Sequence, residues 1–317
     1  MTGRYMNSAM VLLMVVSLFG LVGCPGFWRT LSDALVPVEE ENKLGEEFQE
    51  ELEEELEFSD DDVLVEYIED LGREVSDIAE EMGEMPDGIE TSFHLVDDDE
   101  MVNAFAIPGG GIYVFTGLLK AMDDEAELMG VMGHEVAHVT ERHIARRLTA
   151  AYGTEMVSAM ALGEEPGLVG QLVTAVVQQG FMMSYSRSQE READETGVRF
   201  QIAADYDPQG LISFFETLSE QPSPPTFLST HPNPEERMEN IREQISDISD
   251  VPDRRERERF QQMRDRIDAE PDDADEQEDD RRRDRRRDAD EDDEPEQQDE
   301  VEQDDDDDDD DDRRRRR

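Results

Sequence analysis

The sequence predicts an α+β fold, mostly helical, with a small β-sheet beside one central helix. Apolar residues recur at helical spacing from Leu44 to Phe58 and from Val63 to Met82, and Glu125 to about Ala151 reads as a long helix. Only two short stretches, Thr91–Val96 and Ile112–Phe115, carry the alternation or the β-branched and aromatic content of strands.

The N-terminus reads first as an address. Arg4 precedes an uncharged run from Ala9 to Val22, and Gly23-Cys24 follows. That layout is a signal peptide over residues 1–23, too short for a comfortable membrane-spanning helix. Leu21-Val22-Gly23-Cys24 matches the bacterial lipobox, in which the cysteine is acylated, so Cys24 is the expected lipidation site. Pro25 is not the Asp that argues for inner-membrane retention, which favours an outer-membrane anchor on the periplasmic side. As the single cysteine, Cys24 also excludes an intrachain disulfide.

Residues 24–43 read as a tether. Leu44–Phe58 places Leu44, Phe48, Leu52 and Leu56 on one face among eight glutamates, an amphipathic surface helix. The second helix ends near Gly83 and Pro86, and Asp97–Asp99 turns the chain after the first strand. Three glycines precede the strand Ile112–Phe115, whose Ile112, Tyr113 and Val114 are candidates for an exposed edge that pairs with extended substrate. A tight hairpin feeding a core strand fits the same residues equally well. Leu118–Ala121 begins a short helix. Residues 156–183 are apolar, but Glu164–Gly167 divides them into pieces too short to span a bilayer, which predicts paired helices; Met156, Met160, Met182 and Met183 are expected in the core. Asp207–Leu218 is a short helix and Pro222–Pro234 a loop. Asn233, Pro234 and Glu236 read as N-cap, first-turn proline and capping-box glutamate.

The composition is strongly acidic, with net charge −55 and a pI near 4.1. Residues 271–317 carry 27 Asp/Glu and 11 Arg, so most of the excess lies elsewhere in the chain. A nucleic-acid partner held through phosphates needs basic surface and is excluded. Such self-repulsion is relieved by salt, so a salt-loving source is expected, with stability rising as salt is added. Beyond about Pro252 order is expected to decay; the end, Asp304–Asp312 and five arginines, is low in complexity, and residues 251–317 are expected to form a solvated acidic tail. The catalytic domain then covers residues 44–250.

The chemistry centres on His134-Glu135-Val136-Ala137-His138. Positions four apart on a helix lie about 40° apart, so His134 and His138 share a face and one ion. Two neutral imidazoles suit zinc, and a catalytic site needs a third protein ligand plus a position open to water. Glu135 is placed to take that water's proton. Glu190 is the leading third ligand, and Asp194, four residues on, is placed to accept a hydrogen bond from a ligand histidine. Glu192 competes but lies about 160° from Asp194 on the helix. His143, about 140° round the helix from His138, is assigned to packing or hydrogen bonding and not to the metal, and His94 to structure. A surface helix with two incidental histidines would leave the other residues of this constellation to coincidence.

Four segments together resemble the HtpX/BepA/LoiP type of gluzincin metallopeptidase, over about residues 44–245. They are Asn103–Gly110, His134–His138 with Arg142-His143, Ser186–Asp194, and Thr230-His231-Pro232 with Arg237. The resemblance implies a zincin-like domain, one zinc ion per chain, Glu190 as third ligand and peptide bonds of envelope proteins as substrate. A lipoprotein of this type without a tetratricopeptide array is most similar to LoiP. His231 and Arg237 are candidates to stabilise the oxyanion, and His231 alternatively to fill the fourth zinc position and hold the enzyme latent. A catalytically silent lipoprotein that holds unfolded clients is the competing reading, against which the intact Glu135 counts. A further alternative makes the acidic tail the functional part, as a cation sink or docking arm.

Overall fold

The computed structural model describes residues 36–179 and 185–268. The proposed signal peptide, Cys24, most of the tether, Met182, Met183 and residues 269–317 lie outside the described residues. The fold is mostly helical with one three-stranded sheet, the class read from the sequence.

Two long helices open it. α1 (Val38–Glu55) buries Leu44, Phe48 and Leu52, and α2 (Asp62–Glu81) buries Leu64, Ile68, Leu71 and Val75. Asp61 caps α2 by accepting from the Val63 and Leu64 amides, both at 3.0 Å. The sheet has the order β1–β3–β2, from β1 (Ser92–Val96), β2 (Ala104–Ala106) and β3 (Gly111–Phe115). β1 runs parallel to β3 and β2 antiparallel to it. β3 is therefore the central strand, with all five residues buried. This corrects the edge-strand reading of Ile112, Tyr113 and Val114: both sides of that strand are already paired, and the edges of the sheet among the described residues are β1 and β2.

After a short helix α3 (Thr116–Lys120) comes α4 (Glu125–Thr140), buried along all 16 residues. Its N-cap, Asp124, accepts from the Glu127 amide at 3.2 Å. The predicted helix to Ala151 is broken. Arg142 adopts the left-handed conformation (φ 51°), and α5 (His143–Tyr152) starts anew after it. The Arg142 side chain is buried against Glu41 (2.6 Å) and the Val36 carbonyl (2.6 Å), contacts that hold a backbone state a non-glycine residue otherwise avoids. α6 (Thr154–Ala161) and α7 (Pro166–Gln179) form the expected pair. Met160 is fully buried in it, but Met156 is exposed on its surface, a correction to its core assignment.

α8 (Arg187–Ala203) lies directly on α4. A Cβ at Gly197 would stand 2.9 Å from the Gly133 carbonyl carbon and the His134 nitrogen, so two glycines let the backbones meet. Then follow α9 (Gly210–Ser219), α10 (Thr226–Thr230), α11 (Pro234–Ser246) and α12 (Arg257–Arg264). α10 interrupts the predicted proline-rich loop. The capping box at Asn233 does not form: Asn233 is left-handed (φ 64°), a state asparagine tolerates, and its side chain makes no cap.

The domain also extends past residue 250. Arg254 bridges Tyr206, Phe260 is buried, and the guanidinium of Arg266 grips Asp61 at 2.8 Å through two nitrogens. Arg255 reaches Asp124 (2.6 Å) and Asp207 (2.9 Å), and Arg257 reaches Asp124 (3.0 Å). The start of the proposed tail, residues 251–268, is thus part of the folded domain, because buried acids around the start of α4 take their cations from it.

Candidate metal centre

α4 and α8 cross so that their polar faces converge in the core. α4 contributes His134, Glu135 and His138, each with no exposed surface, and α8 contributes Glu190 and Asp194, each 1% exposed. His231, at the end of α10, and Arg237, on α11, close the group from a third side.

Four of these residues present donor atoms to one point. His134 Nε2 lies 3.0 Å from His138 Nε2 and 3.1 Å from His231 Nδ1. Glu190 Oε1 lies 3.3 Å from His231 Nδ1 and 3.5 Å from His138 Nε2. Zinc with four bonds of about 2.0–2.1 Å needs donors about 3.3 Å apart, so this set fits a tetrahedral ion. The charge states agree. Burial, helped by the charge of Arg237, lowers the His134 pKa to about 4, and burial holds His138 well below the usual imidazole range. Both rings are therefore neutral, with lone pairs free for a metal. Burial alone would raise the Glu190 carboxyl, but Arg237 and His231 beside it hold it well below the usual range, so it is ionised.

The partners behind this group orient it. His134 Nδ1 lies 2.9 Å from Asp194 Oδ1. Arg237 clamps Asp194 through two nitrogens, at 2.8 and 2.5 Å, and its Nη1 lies 2.6 Å from Glu190 Oε2. Its guanidinium is thus spent on carboxylates of the centre, an arrangement that orients and charges them. His138 Nδ1 lies 2.8 Å from His143 Nδ1, and His143 Nε2 lies 3.1 Å from Glu192 Oε2. His143 is brought there by the chain break at Arg142, and Glu192 faces it instead of the metal cluster.

Glu135 stands apart from these pairings. The polar groups that face it among the described residues are His231 Nε2, 3.4 Å from Oε1, and the Ala106 amide of β2. Burial raises its pKa to about 7, with His231, Arg237 and the Ala106 amide of β2 pulling the other way. Ile112, Tyr113 and Val114 are one strand further off, with Tyr113 stacked on His94 (4.7 Å) and Phe105 (5.1 Å).

One aromatic residue that sequence reading passed over borders the centre. The Tyr185 ring stacks on His138 at 3.8 Å and lies 5.4 Å from His231, and its amide donates to the Thr230 carbonyl at 3.2 Å. It directly precedes Ser186, the N-cap of α8, and no periodicity marks it.

Residues 68–245, more than half of the chain, match the family model described as peptidase family M48. This chain belongs to peptidase family M48. The M48 match holds all the residues of the centre described above, from His134 to Arg237. Among similar proteins, the beta-barrel assembly-enhancing protease of Escherichia coli (strain K12) is 29% identical over 236 residues, covering 69% of this chain and 46% of that one. The protein of the same name from Yersinia pestis is 28% identical over 238 residues (70% and 47%). The mitochondrial metalloendopeptidase OMA1 of Bos taurus is 31% identical over 163 residues (47% and 31%). The chain thus matches less than half the length of each of these M48-type relatives.

Proposed function

We propose that the protein is a zinc-dependent endopeptidase that hydrolyses peptide bonds of misfolded or maturing cell-envelope proteins. The observation that carries this reading is Glu135: a fully buried carboxylate beside four convergent metal donors, its pKa raised by burial to about 7. A base poised near ambient pH takes a proton and returns it with little cost either way. His134, His138 and Glu190 would hold a zinc ion, which would supply Lewis-acid polarisation of the scissile carbonyl and of water. Glu135 accepts the water's proton and delivers it to the leaving amine. Asp194 and Arg237 keep His134 and Glu190 in place, so Arg237 acts as a positioning residue and not as an oxyanion donor. The substrate backbone adds along the free edge of β2, whose Ala106 amide faces Glu135.

His231 sets the resting state. Four protein donors close a tetrahedral site, and a closed site has no position for substrate. Phe227 stacks on the His231 ring at 4.5 Å and holds it inward. We read this as latency: His231 must swing out before turnover, and its release frees an imidazole to stabilise the oxyanion. The lipobox-like Leu21–Cys24 supports a lipid-anchored periplasmic address, residues 1–23 serving as signal peptide.

The deciding assay is casein cleavage by the wild type and Glu135→Gln, each with and without a chelator. Hydrolysis by the wild type alone, lost on chelation, is expected. Equal rates for wild type and Glu135→Gln would overturn the enzyme reading in favour of a client-holding lipoprotein.

A further inference from the structure

The arginines around the centre are matched to acids, with one exception. Arg142 pairs with Glu41 (2.6 Å), Arg146 with Glu192 (3.7 Å), and Arg237 with Asp194 and Glu190. Arg147, on α5, is in no ion pair among the described residues, and its buried Nη1 has no hydrogen-bond partner. In a chain with 85 acidic and 30 basic residues, a cation left without an acid runs against composition. A buried donor left unpaired is costly, and such groups mark places where a partner is missing.

The place is specific. The Arg147 guanidinium lies over the Tyr185 ring, 4.7 Å from its centre, and that ring stacks on His138 at 3.8 Å. Arg147 is half-buried, so part of it stays open to a ligand. Glu190, the acid of the centre whose charge reaches Arg147, is already committed to His138, His231 and Arg237.

We propose that Arg147 is a substrate-recognition residue that binds a carboxylate of the polypeptide. A planar guanidinium backed by an aromatic face suits a two-pronged carboxylate contact. The bound group sits one aromatic ring from His138, so on the endopeptidase reading it belongs to an Asp or Glu side chain close to the scissile bond; a substrate C-terminus, the other source of a carboxylate, would instead mark removal of C-terminal residues. The chain's negative field repels acidic peptides at long range, but salt screens that field beyond about 8 Å at physiological strength, and contact at Arg147 then decides. The proposal rests on the endopeptidase reading for the nature of the ligand.

The test uses the full chain with Glu135→Gln and His231→Ala, which removes turnover and opens the site. Four labelled decapeptides carry Glu or Gln at the centre, each with a free or an amidated C-terminus, and binding is read by fluorescence anisotropy at physiological salt. The Glu peptide, or the free-carboxylate peptide, should bind about tenfold tighter than the neutral one. Adding Arg147→Gln should erase that difference and leave the neutral peptide within about twofold; Arg147→Lys should restore part of it. Which pair shows the difference identifies the side chain or the terminus as the source. Equal affinities before Arg147 is changed, equal weakening of all peptides by Arg147→Gln, or no binding of any peptide would overturn the proposal. Because the chain used is inactive, this outcome is separate from the casein assay.

Discussion

The Nδ1 atoms of His138 and His143 lie 2.8 Å apart, so one of them carries a proton that the other accepts. If His138 meets the metal through Nε2, its Nδ1 carries the proton and donates to His143. His143 then carries its own proton on Nε2 and donates to Glu192, 3.1 Å away. A carboxylate thus orients a ligand histidine through a second histidine, much as Asp194 orients His134 directly. Replacing His143 by Phe or Glu192 by Ala should weaken zinc binding about 10–100-fold. Competition with a chromogenic chelator measures this, and unchanged affinity in both variants would refute the relay.

The contact between α4 and α8 gives a second prediction. Gly197→Ala pushes a methyl group against the Gly133 and His134 backbone, at 2.9 Å from each. Neither helix backbone yields cheaply, so the variant should lose about 1–3 kcal/mol of stability. It should also lose zinc, because Glu190 and Asp194 on α8 move away from His134. Chemical denaturation and metal analysis check both; full zinc occupancy would show that the helices separate without disturbing the centre.

The C-terminal boundary is testable by truncation. A chain ending at Asp268 should keep the stability of the whole. One ending at Pro252 removes Arg255, Arg257 and Arg259, the cations that face Asp124 and Glu125, both of which are fully buried. Stripping a buried acid of its partner costs about 3–5 kcal/mol, enough to lower Tm by roughly 10 °C or to prevent folding. Equal thermal scans for the two truncations would return residues 253–268 to the tail.

Glu127 makes stability depend on pH. Burial raises its pKa to about 7, opposed by the Asp123 amide and Arg255. A carboxyl raised in the folded state holds its proton there while the unfolded chain has already released it. Its contribution is therefore complete below the ordinary carboxyl pKa of 4.5, falls as pH rises toward 7, and changes no further above that. Glu127→Gln should flatten this slope and raise stability above pH 7, by at most about 3 kcal/mol. Urea midpoints at pH 5 and 8 give the comparison; an identical slope in the variant would assign the pH dependence to other groups.

Much of this was legible in local pattern. The faces of α1 and α2, the pairing of His134 with His138, and the convergence of Glu190 and Asp194 follow from helical period, which depends only on neighbours along the chain. Two of the misread elements share one cause, a partner distant in sequence. Arg142 breaks a helix that its neighbours favour because Glu41, 101 residues away, holds its side chain. Ile112–Val114 look like an edge because strand character carries no record of which strands pair on either side. Asn233 reads as a cap, yet its backbone conformation leaves the cap unmade.

The sequence by itself determined the zinc-binding pattern, the helical framework and the acidic balance, all of which rest on residue type and spacing. Only the tertiary structure decided that His231 completes a closed set of four donors, that Arg237 clamps carboxylates, that His143 and Glu192 stand behind His138, and that Arg147 is left without an acid. Those relationships bring together side chains of α4, α5, α8, α10 and α11, and the distances between them are set by how the elements pack and not by neighbours along the chain.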